Sequence, residues 1–149
     1  MDMLIAVLAL LQQTGDRIPG DLLLLDSGMA GLFDAYLEAV PECPARGDTP
    51  VRFWLLDLAG SRASAGLRNA VRLVRRTRDS DLRSALKSYL WTCSAYLDSF
   101  SDVREMYRAP APPDSAGATE AEDGLFERDE AWLEAGSALF ALLAEEGWR

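Results

Sequence analysis

Histidine is absent from this 149-residue chain. The commonest general base and metal ligand is therefore missing, and no Ser-His-Asp or Cys-His arrangement can be assembled. Lysine is nearly absent too: Lys87 stands alone among fifteen basic residues, the composition of a GC-rich coding sequence. There are two cysteines, Cys43 and Cys93. Two cannot make a disulfide framework, and neither sits in a CxxC pair or at metal-ligand spacing. Cys93 lies in an apolar periodic segment and reads as a buried thiol, Cys43 lies in a proline-bounded loop, and a reducing compartment is the simpler setting.

Other absences narrow the field further. No glycine-rich phosphate loop appears, because the GMAG run at 28–31 is not followed by a GK[ST] triplet. No segment alternates with period two over a useful length, and β-hairpin turn signals are missing. No internal repeat is evident. The longest apolar run, 3–11, is nine residues, too short to span a bilayer. Asp2 stands where a secretory signal would carry positive charge, so the run reads as a buried helix. Carboxylate pairs such as Asp129-Glu130 and Glu145-Glu146 fall on polar helix faces, as solvated surface does. No cofactor, no metal and no enzymatic activity are expected.

What is present is apolar and acidic. About half the residues are hydrophobic, which is enough for one folded domain over 1–149. The formal net charge of −9 argues against nucleic acid as a partner, since phosphate binding needs a surplus of Lys and Arg. It argues equally against an anionic membrane surface.

Helical periodicity dominates. A first helix is expected over 2–14. A second is expected from Asp26 or Ser27 to Val40, with Met29, Leu32, Phe33, Tyr36, Leu37 and Val40 on its apolar side. Thr49-Pro50 is a start signal for a third, which should end near Gly60. Ser64 can cap a fourth over 65–78, with Leu67, Ala70, Val71 and Val74 on one face and Arg68, Arg72, Arg75 and Arg76 in a row on the other. The fifth has the clearest stripe: Leu82, Leu86, Leu90, Cys93, Leu97 and Phe100, flanked by Tyr89, Trp91 and Tyr96. A flexible loop is expected over 108–124, with its three prolines and two glycines. A last helix follows over 126–146. The expected architecture is thus all-α: one bundle of six to seven helices around a central fifth.

Charge is uneven along the chain. Residues 62–87 carry eight basic and two acidic side chains, and residues 114–149 carry ten acidic and two basic. This is read either as a dipolar surface whose halves attract, within the fold or between subunits, or as an Arg row that contacts an acidic motif on a partner. The segment LQQTGDRI at 11–18 has the Leu-x-x-x-Gly-Asp-x-hydrophobic form of a third Bcl-2 homology motif, although Pro19 follows at once and Thr14 replaces an apolar residue.

The helix order, with DSGMAGLFDAYL at 26–37, LKSYLWTCSAYL at 86–97 and WLEAGSALFALL at 132–143, resembles that of the poxviral Bcl-2-like immune modulators. The Asn-Trp-Gly-Arg signature of the cellular family is missing. The resemblance implies a Bcl-2-like bundle in the host cytoplasm that inhibits innate immune signalling, often NF-κB activation, by engaging a host signalling protein. The alternative it implies is sequestration of pro-apoptotic helical motifs in a groove near Phe53, Leu67, Val71 and Leu86, with Arg83 as anion partner. It also implies a possible homodimer face built from Leu4, Val7, Leu8, Leu11, Trp132, Leu139 and Leu143. A bacterial acidic chaperone or immunity protein is the reading from a different setting.

Overall fold

A computed structural model describes residues 18–40, 51–108 and 115–146, apart from the side chains of 115–118 and 146. Among these residues the chain forms four long helices and one single helical turn: α1 (Gly20–Ala39), α2 (Phe53–Ala70), the turn α3 (Leu73–Arg76), α4 (Ser80–Arg108) and α5 (Ser115–Glu146). No strand occurs among the described residues.

This corrects the expected six to seven helices and, with it, the Bcl-2-like bundle around a fifth helix. The main reason is the pair of segments read as third and fourth helices: the third runs into the first part of the fourth as α2, and the remainder of the fourth is only the turn α3. Gly60, read as a stop, continues the helix because tertiary packing overrides its poor propensity. It is buried against the ring of Phe100, which a Cβ at this position would meet at 3.6 Å. Likewise α1 starts six residues before Asp26. Pro19 precedes it, and the Pro19 carbonyl accepts from the amides of Leu22 and Leu23 at 3.1 and 3.2 Å. The short apolar run 22–25 is therefore the first turn of α1, and Asp26 lies inside the helix. At the other end of the chain, α5 begins at Ser115, inside the stretch 108–124 expected to be a loop. All three prolines of that stretch precede Ser115, and the alanines that follow favour helix. The helix expected over 2–14, and Cys43, lie outside the described residues.

Two antiparallel helix pairs stack to make the bundle. Helix α1 packs along α2, and α4 along α5; α2 and the turn α3 rest on α4. Leu22, Leu25, Met29, Leu32, Tyr36 and Ala39 recur every three or four residues on α1, and all are buried. On α4 the same spacing places Leu82, Leu86, Tyr89, Cys93, Tyr96, Phe100 and Val103 inside. Asp79 starts α4 as an N-cap: its Oδ1 accepts from the Leu82 amide at 2.8 Å. The opposite face of α4 meets water, with Trp91 exposed, so this helix is amphipathic and not enclosed all round.

The two pairs differ in how closely their helices approach. A Cβ built on Gly66 would lie 2.9 Å from the Cα of Leu25, and one on Gly28 would lie 3.1 Å from the Cα of Ala63. Small residues thus let the α1 and α2 backbones touch. The α4/α5 pair is spaced by aromatic side chains, with Tyr89 against Phe140 and Tyr96 against Trp132, both edge to face.

Candidate functional site

Among the described residues, a sealed cluster at the centre concentrates polar chemistry and a groove on the outside offers open surface. The cluster ties three helices together. The Tyr89 hydroxyl on α4 donates to Asp26 Oδ1 on α1 at 2.6 Å, and the Trp132 indole on α5 donates to the Tyr89 oxygen at 3.2 Å. Asp26 is 1 % exposed, and its Oδ2 has no hydrogen-bond partner. Burial is the main cause that pushes its carboxyl up to about 6, against the opposing pull of the Tyr89 hydrogen bond. Burial likewise raises the Tyr89 hydroxyl and the Cys93 thiol, keeping both protonated. Tyr89, Cys93, Asp26 and Trp132 are all shielded from solvent, so the cluster presents no reacting atom to a substrate. It specifies how the helices meet.

The groove runs along the outer seam of α1 and α2. Its volume is ≈ 580 Å³. The close backbone approach at Gly28 and Gly66 sets the two helices so near that their outward side chains form two banks. Gly31, Ala35, Ala59 and Ala65 keep the floor low, and Leu24, Leu55 and Leu58 supply apolar walls. Leu24 is 66 % exposed and Leu58 44 %. Asp21, Asp34 and Glu38 line the α1 bank; Arg62 and Asn69 stand on the α2 bank. The groove is therefore apolar along its floor and acidic along one edge. A smaller pocket of ≈ 230 Å³ between α2 and α4 is lined by Ser61, Ser64, Arg68, Phe100 and Arg104, among others. Its Arg104 already pairs with Asp57 at 3.3 Å.

Comparison with family models, curated proteins and solved structures gives no match. The geometry of the chain itself therefore carries the functional argument.

The residues singled out from sequence do not converge on either place. Phe53 and Leu67 are half-buried, Leu86 is fully buried, and Val71 is 51 % exposed. Arg83 is occupied: its Nε and Nη2 donate to the Thr77 carbonyl at 2.9 and 2.6 Å. These five residues line no common cavity among those described. Of the dimer-face residues, Trp132, Leu139 and Leu143 are buried inside the single chain, while Leu4, Val7, Leu8 and Leu11 lie outside the described residues. In the segment 11–18, Ile18 is buried and the rest lies outside the described residues.

Sequence reading missed the α1/α2 groove because its defining residues are small. The signal was available in Gly28, Gly31 and Ala35 on one helix and Ala59, Ala63, Gly66 and Ala70 on the other, all three or four apart. The GMAG run was weighed only as a phosphate loop. Among the described residues no group of three or more His, Cys, Asp or Glu could hold a metal ion, and no helix is long and apolar enough to cross a membrane.

Proposed function

We propose that this protein works by binding another protein, and that the α1/α2 groove receives a helical segment of that partner. The observation that carries the reading is the groove's make-up: exposed Leu24 and Leu58 beside a floor of small residues, with Asp21, Asp34 and Glu38 along one edge. An amphipathic helix can lay its apolar face into such a trough. Charge complementarity selects one whose flank carries Lys or Arg, since three carboxylates face a single Arg62 across the seam. Water is expelled from the leucines on docking, at roughly 25 cal/mol per Å² of apolar surface covered. The acidic edge then discriminates between partners more than it adds affinity.

A leucine-rich helical peptide with a lysine flank tests this in a fluorescence-anisotropy titration. Binding is expected with a Kd on the order of 1–100 μM. Leu58→Asp should weaken it about tenfold or more while leaving the fold intact, and a peptide with glutamates in place of the lysines should not bind. Equal binding of both peptides, or no effect of Leu58→Asp, would refute the assignment.

The same reading extends to a host signalling protein as the partner, provided it presents a helix of this apolar, basic-flanked kind. A pull-down from host cells paired with an NF-κB reporter tests that extension separately. A captured partner with an unchanged reporter would remove the signalling role and leave the groove in place.

A further inference from the structure

The seam groove leaves one strongly charged surface unexplained, at the corner where α2, α3 and α4 meet. Arg68, Arg72, Arg75, Arg76 and Arg78 are all exposed there. Among the described residues none of them makes an ion pair, since every salt bridge found involves Arg104 or Arg108. The corner is also held in shape. Thr77 Oγ1 donates to the Leu73 carbonyl at 2.6 Å, and the Arg83 guanidinium clamps the Thr77 carbonyl. Val71, which precedes Arg72 in the chain, is exposed as well.

Five free guanidiniums on a chain of net charge −9 call for a specific acidic surface, and the chain itself carries one. Glu120, Asp123, Glu127, Glu130 and Glu134 are exposed on α5. Their spacing of three and four residues places them on one face of that helix, over about 21 Å. Among the described residues none of the five pairs with a cation. Phe126, 50 % exposed, lies beside the stripe. The two surfaces do not meet in one subunit. Glu122 lies at the C-terminal end of α4, where its carboxylate accepts from the Tyr107 hydroxyl at 3.1 Å. The arginine corner adjoins Ser80 at the N-terminal end of the same helix, about 40 Å from Tyr107 along its axis; the near end of the stripe, Glu134, follows Trp132, whose indole meets Tyr89, about 14 Å along the axis from Ser80. Among the described residues no ion pair joins the corner to the stripe within one subunit, and attraction over the longer separations is screened, because the Debye length is about 10 Å in 0.1 M salt.

We infer that the arginine corner of one subunit docks the acidic face of α5 on a second copy of this chain. The surfaces are different patches, one at the α2–α4 corner and one along α5, so the contact is heterologous and repeats head to tail, as a ring or a filament. Exposed ion pairs are individually weak, so the assembly is concentration-dependent and dissolves in salt. This contact is independent of the α1/α2 groove.

Sedimentation velocity across a concentration series tests it, in about 0.1 M and about 1 M salt, where screening contracts to about 3 Å. The chain is expected to self-associate in the lower salt, with the association constant falling at least about tenfold in the higher. Two triple variants locate the contact: Arg72→Glu with Arg75→Glu and Arg76→Glu, and Glu127→Arg with Glu130→Arg and Glu134→Arg. Each alone should be monomeric and retain the helical circular dichroism of the parent. Mixed in equal amounts they should associate, because the intact corner of one meets the intact stripe of the other. Both remain net negative, so overall charge would keep them apart. A monomer at every concentration in the lower salt overturns the inference. So does assembly that ignores salt, or a mixture that stays monomeric.

Discussion

The Tyr89 hydroxyl reaches across the core to Asp26 at 2.6 Å, and this one bond fastens α4 to α1 at a carboxylate that water does not reach. A buried carboxylate with one oxygen unpartnered is costly. It makes the stability of the fold respond to pH.

Asp26 is raised from 3.8 to about 6 in the folded state. The folded chain therefore holds this proton more tightly than the unfolded chain does. The associated stability is fully present below about 4 and is lost as pH rises through 6. Its size is about 3 kcal/mol. Urea unfolding at a series of pH values should show Asp26→Asn flattening the dependence between pH 4 and 7, relative to the parent. The other groups at this site, Tyr89 and Cys93, titrate far above that window.

Tyr89→Phe removes the donor and leaves the carboxylate without its partner. The expected cost is about 1–3 kcal/mol at neutral pH. Because the Tyr89 bond lowers the Asp26 pKa, its loss should raise that pKa further. The penalty should accordingly be smaller at pH 5 than at pH 8, as read by chemical denaturation at both.

Two glycines on the seam should respond in opposite directions. A Cβ at Gly66 meets the Leu25 backbone at 2.9 Å, and one at Gly31 meets nothing within 4 Å. Gly66→Ala should destabilise by about 1–3 kcal/mol through forced separation of the helices. Gly31→Ala should stabilise by about 0.5–1 kcal/mol through helix propensity. Thermal melts of the two variants separate the effects.

Helix α4 was legible because its apolar residues repeat without interruption, and a helix over 82–100 follows from the stripe alone. The interior did not follow so directly. Tyr89 and Tyr96 look like flanking aromatics in the sequence, yet both are fully buried, because Asp26 and Asp129 supply partners for their hydroxyls. Trp91, counted with them, faces water. The helix count failed where glycine was read as punctuation. Gly60 sits inside α2 because the Phe100 ring occupies the space beside it, and that is a property of tertiary contacts. The role of Arg83 was hidden for a similar reason: its partner is the Thr77 carbonyl, a backbone atom that no residue pattern announces.

Arg83→Ala should loosen the α3–α4 corner without unfolding the bundle. Two hydrogen bonds to the Thr77 carbonyl are lost, at about 1–2 kcal/mol in total. Amide hydrogen exchange should accelerate over residues 73–79 and stay slow at the centre of α4.

The groove assignment is tested most directly by an isotope-edited NMR titration of the chain with the lysine-flanked amphipathic peptide. Shifts should concentrate at Leu24, Gly31, Leu55, Leu58 and Arg62, with α5 unaffected. Shifts that map to α5 or to the arginine corner, with the seam silent, would contradict it.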